Sequence, residues 1–449
     1  MLNSEKGVEN PFFELPNENP LTCHLICLPR SPSNSYYSLS HFSQKVRNLG
    51  WMLKSTGNKV YYYGYESCDV PCDEKIIVGD ENILMEAYPR CKSEFGYIDV
   101  NEQQENPEAI DYLEKRWRLG THYELKKRYK PGDFVFWMLP MVDQRFLYDE
   151  LKDLPVRHVE PGIGYIGAFL PYKVFQSAYI RDFHYGYYHG NNQWYDILDE
   201  SSQQARPHGS HAMHTYVDWE DTALLKDVVI PNSYDIALFD FKVKKKDYLL
   251  SLARVLPGKG IRNAVEIAER MGMKLIVAGP GDFKQAVGKN PSSNVEVVGI
   301  VGSDERRELL ANALAVLSLS DVDETFGGVA IEALLSGTVP IVANTGGFRD
   351  TIVSGYNGYR VDSRNISAGV QAVEKISEIN PYTLRNTGLR FSMEQCALRH
   401  NAYLQNIDGE LKSDNFEKVE ELDWNDMTGK IDFPKAWMVP IDVKENADD

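Results

Sequence analysis

A chain of 449 residues exceeds the length over which one hydrophobic core keeps growing, so two domains of about 200 residues, with a cleft between them, are its natural organisation. Hydrophobic residues make up 43%, yet no apolar run approaches the roughly 20 residues of a membrane span, and the opening MLNSEKGVENPFFELPNENP lacks the basic start and apolar middle of a secretory leader. A formal net charge of −17 argues against non-specific binding to nucleic acid, and six cysteines in so long a chain form no disulfide framework, which points to a reducing, cytoplasmic setting.

In chain order, CHLICL (23–28) is a short apolar run closed by Pro29 and reads as a first strand. After a polar loop, Leu39, Phe42, Val46, Leu49 and Leu53 recur at helical spacing, and Gly57 stops that helix before the strand KVYYYGY. Residues 66–130 hold few clear periods and read as helices and loops decorating the domain. Cys68 and Cys72 lack a second Cys or His pair at ligand spacing, so no metal is expected there. KRWRLGTHYELKKRYK (115–130) and KVKKK (242–246) could form a basic patch, although such runs are usually solvated faces.

DFVFWMLP (133–140) and LPVRHVE (154–160) read as buried strands, the second delivering Glu160 to the sheet edge where ligands of open α/β sheets bind. Glu160 is therefore a candidate catalytic group, with a helix-capping carboxylate as the bland alternative. YKVFQSAYIRDFHYGYYHG (172–190) reads as a helix entering an aromatic loop, with His184 and His189 on its polar side and His184 a candidate for the cleft. His208, His211 and His214 recur every three residues, but Gly209 and the lack of an acidic ligand favour a loop over a metal site.

VVIPNSYD (228–235) is a strand ending in a proline turn, after which strands and helices alternate regularly. YLLSLARV, KLIVAG, VEVVG and VLSLS are strands, and the segments after PGKGI and around ERRELLANA are helices, as in a parallel domain of the Rossmann kind. The most informative stretch is ETFGGVAIEALLSGTVPIVANTGG (324–347). Glu324 and Glu332 have seven residues between them, the pair Gly327 and Gly328 opens a helix that carries Glu332 one to two turns in, and Gly337 ends it before a buried strand. A helix N-terminus with glycines invites a diphosphate.

These residues, with IPNSYD (230–235), ARVLPGKGI (253–261) and KLIVAGPG (274–281) followed by NVEVVGIV (294–301), resemble the donor-binding half of the family 4 retaining glycosyltransferases of GT-B architecture. The resemblance covers roughly the second half of the chain. It implies two Rossmann-like parallel-sheet α/β domains facing across a cleft: an acceptor-side domain over 1–235, a nucleotide-sugar domain over 236–390, and a segment over 391–449 whose helix crosses back to the first domain. Two departures stand out: the loop SPSNSYYS (31–38) lacks the family's Gly pair, leaving Ser35 to Ser38 weak candidates, and Glu160 stands where many relatives have a His.

Separating a sugar that turns cationic from a diphosphate that gains negative charge needs fixed positive groups, and Arg254 and Lys259 flank RVLPGK as the family's clamp does. The resemblance further implies that Glu324 holds hydroxyls of the donor sugar and Glu332 those of the ribose. Gly299 and Ile300 would meet the base, and Thr325, Phe326, Gly327, Gly328 and Val329 would form the phosphate loop. It implies retention of configuration, a UDP- or GDP-sugar as donor, no other cofactor and no metal. The acceptor would be a hydroxyl-bearing glycan or small molecule, with Tyr36, Tyr37 and Tyr61 to Tyr63 available for stacking on sugar. Alternatives within the architecture are transfer to a hydroxylated DNA base, nucleotide-sugar epimerisation, or binding without transfer. A phosphorylase-like enzyme would need pyridoxal phosphate on a Lys, and no such motif is present.

Overall fold

The computed structural model describes residues 19–35, 40–88, 106–140, 144–187 and 227–410. Seven strands build a first sheet: β1 (Thr22–Ile26), β2 (Lys59–Gly64), β3 (Glu74–Ile77), β4 (Phe134–Trp137), β5 (Arg157–Ile163), β6 (Tyr172–Phe175) and β7 (Val228–Val229). They lie in the order β3-β2-β1-β4-β5-β6-β7, every pairing parallel. Six more, β8 (Leu249–Leu252), β9 (Leu275–Ala278), β10 (Val295–Gly299), β11 (Ala315–Ser318), β12 (Val339–Ala343) and β13 (Tyr359–Val361), form an all-parallel second sheet in the order β10-β9-β8-β11-β12-β13.

The inner strands are apolar on both faces because parallel sheets are covered on both sides, whereas the outer strands β3 and β10 are largely exposed. In β4, Phe134 and Phe136 enter one core and Val135 and Trp137 the other, the alternation of the pleat. In β8, Leu249 and Leu250 divide in the same way between the two cores of the second domain.

Helices α1 (His41–Ser55), α2 (Glu81–Ala87), α3 (Pro107–Arg128), α4 (Arg145–Leu151) and α5 (178–187) belong to the first domain. Within 66–130 the sequence conceals the edge strand β3 and the 22-residue helix α3. In α3 the Asn106 side chain caps the N-terminus, Pro107 follows it, and Ala109, Leu113, Trp117, Thr121 and Leu125 bury one stripe at four-residue intervals. Residues 172–190 depart from the expected helix: Tyr172–Phe175 is strand β6, and helix begins only at 178. A four-residue apolar run fits either state, and the slot between β5 and β7 decided it.

The second domain carries α6 (Ile261–Met271), α7 (Phe283–Val287), α8 (Ser303–Asn312), α9 (Gly328–Leu335), α10 (Phe348–Thr351), α11 (Ile366–Glu374) and α12 (Pro381–Leu389). Helix α13 (Met393–Glu410) then returns to the first domain, burying Met393, Cys396, Ala397, Leu404 and Ile407 in its core, and Asp408 accepts from buried Arg157 at 2.9 Å. The outgoing and returning segments pair with one another: Tyr234 N–H donates to Phe391 O at 2.9 Å, and Met393 N–H to Tyr234 O at 3.0 Å.

Candidate functional site

In the second sheet the strand order reverses between β8 and β11, since β9 and β10 extend one way and β12 and β13 the other. Loops leaving the C-terminal ends of two such strands diverge and leave a crevice. Arg254 and Lys259 stand on the loop after β8, Glu324 on the loop after β11, and Gly346 and Gly347 on the loop after β12.

These loops are pinned together. Gly260 has φ +73°, and a Cβ there would lie 1.9 Å from Leu319 O; Asp321 N–H donates to Gly258 O at 2.8 Å. Lys259 Nζ meets Glu324 Oε1 at 2.6 Å, both side chains partly exposed, and Gly347 N–H donates to Glu324 O at 2.7 Å. Arg254 is exposed and has no carboxylate within ion-pair distance among the described residues.

Gly327, with φ +80°, turns the chain into α9 where a Cβ would meet the Phe348 ring at 2.3 Å. A side chain on Gly328 would meet Tyr234 Oη at 2.6 Å. In the first turn of α9 Ala330 N–H donates to Gly327 O at 3.0 Å, whereas the N–H groups of Gly328 and Val329 have no intrahelical acceptor, and with the dipole they make an anion-attracting end beside Lys259 and Glu324. Phe326 is different: its side chain is buried against Phe391 and the core, so only its backbone is available to a ligand. Val329 packs partly on the core, and Gly299, with φ +76°, and half-buried Ile300 end β10.

One turn into α9, Glu332 is 7% exposed, and the Arg306 guanidinium of α8 grips its Oε2, with Nε at 2.9 Å. Buried carboxylates need such a partner, and nothing in the sequence pointed to Arg306 as its source. A cavity of about 830 Å³ reaches this point from between the domains, with Lys45, Asn48, Asn232, Tyr234, Arg306 and Glu332 on its wall. Arg254, Lys259 and Glu324 are not on that wall; they stand at the N-terminal side of α9, whereas Glu332 lies past it.

Two expected site residues are placed elsewhere. Glu160 is fully buried within β5 and accepts from Tyr165 OH at 2.7 Å and from the N–H groups of Phe169 and Leu170 at 3.1 and 3.2 Å. Burial pushes its carboxyl up to about 7, and every contact is structural, because the strand runs three residues beyond the expected edge. His184 is 3% exposed in α5, its ring packed beside Phe175 and Tyr185, and desolvation lowers its imidazole to about 4. Neither reaches the cleft.

The aromatic and basic signals also resolve into structure. Tyr62 and Tyr63 are core, and Tyr61 stacks on His24 at 5.0 Å. Cys68 Sγ accepts from Tyr62 OH at 3.1 Å, and no metal-holding group of His, Cys, Asp or Glu occurs among the described residues. In the 115–130 run, Lys115, Arg116, Arg118 and Arg128 pair with Asp111, Asp80, Glu150 and Glu74. Lys245 of the second run donates to Ala311 O, Ser336 O and Thr338 Oγ1, each at 2.9 Å. Lys126 and Lys130 of the first run and Lys242 and Lys244 of the second remain exposed. Ser35 N–H donates to Asp69 at 3.2 Å. Residues 36–38, His189, His208, His211 and His214 lie outside the described residues.

Residues 238–387 match the family Glycosyl transferases group 1. That match covers about a third of the chain and spans the whole switch-point site. An uncharacterized glycosyltransferase of Methanocaldococcus jannaschii is 29% identical over 137 residues, which are 28% of this chain and 35% of the relative, so the chain matches about a third of that protein's length. Among solved structures, AviGT4, a glycosyltransferase involved in avilamycin A biosynthesis, superposes with TM-score 0.52 at 18% identity, covering 87% of this chain and 98% of that one. Anabaena HepE in complex with UDP-glucose gives 0.51 at 13% identity, covering 86% and 99%. The chain has the GT-B fold: two parallel-sheet α/β domains, the second of which contains the stretch similar to Glycosyl transferases group 1. No helix among the described residues is long and apolar enough to cross a membrane.

Proposed function

We propose that this protein transfers a glycosyl group, with retention of configuration, from a nucleoside diphosphate sugar to a hydroxyl of a glycan or small molecule. The observation that carries the reading is the gathering of Lys259, Glu324 and the free N-terminus of α9, with Arg254 on the same loop as Lys259, at the β8–β11 switch point.

Arg254 and Lys259 neutralise the diphosphate as its charge grows, and the α9 N–H groups add fixed dipoles that need no reorganisation. Glu324, partnered with Lys259, accepts from hydroxyls of the sugar, and Glu332 accepts from the ribose through the oxygen that Arg306 leaves open. The acceptor oxygen forms its bond to the anomeric carbon as the bond to the diphosphate breaks, and the departing phosphate oxygen takes the acceptor's proton on the same face. No metal is needed when two cations already face the leaving group. HepE binds UDP-glucose, which makes a UDP-sugar the first donor to try. The acceptor enters from the first-domain side of the loop that carries Glu324, since the donor contacts all lie in the second domain. The described cysteines are all free, in keeping with work in the cytoplasm.

A panel of UDP- and GDP-sugars, read by thermal shift and then by product analysis, tests this. A true donor at 100 times its dissociation constant adds about 2.7 kcal/mol of stability. Sugar on an added hydroxyl acceptor, with free nucleoside diphosphate, supports transfer; an epimerised donor, or binding without release, overturns it.

A further inference from the structure

The first domain touches the donor loop through residues that follow β6, the most buried contact being an amide. Gln176, 4% exposed at the end of β6, donates from Nε2 to Thr325 Oγ1 at 2.7 Å, and Thr325 directly follows Glu324. Its Oε1 accepts from Lys45 Nζ of α1 at 2.8 Å and from Asn232 Nδ2 of the interdomain crossing at 3.0 Å. A lysine ammonium only donates, so Lys45 fixes which end of the amide is oxygen and aims the NH₂ group at Thr325. Lys45 is itself anchored to Gly162 O at 2.8 Å, and the amide packs so closely on Gly164 that a Cβ there would lie 2.1 Å from Gln176 Nε2.

The neighbouring residues repeat the contact. Ser177 Oγ donates to Thr325 O at 2.5 Å, Tyr179 OH to Asp323 Oδ2 at 2.7 Å, and Tyr179 N–H to Asp350 Oδ2 at 2.9 Å. Three hydrogen bonds thus run from residues 176–179 to the loop that carries Glu324 and a fourth to Asp350 of α10, and among the described residues these must break when the domains part.

We infer that Gln176 is a positioning residue: oriented by Lys45 and Asn232, it holds Thr325, and through it Glu324 and the Lys259–Glu324 pair, in the register that donor transfer requires. It touches no reacting atom. Its consequence is that the donor-sugar end of the site is complete only while the first domain is docked, whereas the ribose end, Glu332 with Arg306, is built wholly by the second domain. Nucleotide binding and transfer therefore separate: losing Gln176 costs transfer and lets water reach the donor, but spares the nucleotide.

This role rests on the donor reading of Glu324 and Thr325, and its test includes an arm that does not. Full-length wild type, Gln176→Met, Gln176→Glu, Thr325→Val and the Gln176→Met/Thr325→Val double variant are compared by hydrogen exchange without ligand, and by UDP binding and UDP-glucose turnover. Gln176→Met keeps the volume and removes all three hydrogen bonds of the amide. Exchange in 322–329 should speed up about tenfold or more, with β8 to β12 unchanged. UDP affinity should stay within about twofold while turnover falls roughly tenfold and hydrolysis gains on transfer. Thr325→Val should match it, the double variant should be no worse than either single, and Gln176→Glu, still able to accept from Lys45, Asn232 and the Thr325 hydroxyl, should recover part of the loss. Unchanged exchange in Gln176→Met, or losses that multiply in the double variant, would overturn the role. If wild type binds neither UDP nor GDP, the donor reading fails instead, and the exchange arm still decides whether Gln176 holds the loop.

Discussion

Arg306 Nε donates to Glu332 Oε2 at 2.9 Å, and the second guanidinium nitrogen closes on the same oxygen, so one oxygen of the carboxylate is committed to α8 while Oε1 has no hydrogen-bond partner among the described residues. A carboxylate that is almost fully buried, yet keeps one acceptor oxygen free beside a cavity, is arranged to receive a hydroxyl.

Replacing Arg306 by Ala should leave Glu332 in its buried place without a counter-charge. The expected outcome is a loss of about 1.5 to 3 kcal/mol in binding of free UDP, the scale of a hydrogen bond to a charged group, because a carboxylate without its fork loses its orientation. Calorimetry with UDP checks this, and equal affinity in the variant would show that Arg306 only closes the helix surface.

The two acids of the motif should part company. Glu332→Ala should weaken free UDP by about 1.5 to 3 kcal/mol, whereas Glu324→Ala should leave UDP affinity intact and damage transfer. Glu324 pairs with Lys259, so its loss also frees that ammonium beside the phosphates. Equal losses of UDP affinity in both variants would contradict the division of roles.

The cation clamp acts on charge that grows in the transition state. Arg254→Ala and Lys259→Ala should each lower turnover roughly a hundredfold, the cost of one preorganised charge-stabilising group, with little change in melting temperature because both side chains are at least partly exposed. Steady-state kinetics and thermal melting together decide it, and full turnover in both variants sinks the clamp.

Glu160 carries a prediction about pH. Its folded value, raised to about 7 by burial, exceeds its unfolded value, so the folded protein binds the extra proton, and the associated stability is complete below about pH 4.5 and lost as pH rises through 7. Glu160→Gln keeps one oxygen for the Phe169 and Leu170 N–H groups and stays neutral. The variant should therefore gain on wild type by on the order of 2 kcal/mol between pH 4.5 and pH 8, with transfer activity retained. Denaturant melts across that range check the sign; a gain at low pH, or lost activity in a well-folded variant, would restore Glu160 to the site.

Gly327 should tolerate no side chain. An Ala there would hold φ near +80° with its Cβ inside the Phe348 ring's space, at an expected cost of roughly 2 to 4 kcal/mol. Thermal melting of Gly327→Ala measures it, and an unchanged melting temperature would mean that this entry to α9 is more plastic than its packing implies.

What the sequence by itself determined was whatever one segment can settle. The apolar strand VPIVA and the helix between Gly327 and Gly337 follow from local periodicity and glycine chemistry, whereas the two-domain architecture and the roles of Arg254, Lys259 and Glu324 were implied by the family resemblance of the ordered motifs. The edge strand EKII and the switch of 172–175 from helix to strand were not legible, since short apolar runs take the state their neighbours offer. Tertiary structure alone decided that Glu160 and His184 lie buried, that Lys245 of the second basic run is anchored on backbone carbonyls, and that Arg306 holds Glu332. It also decided that Gln176 meets Thr325, 149 residues away in sequence. Such pairings are fixed by which loops the two sheets bring to a common edge, and residue spacing along the chain carries no trace of that.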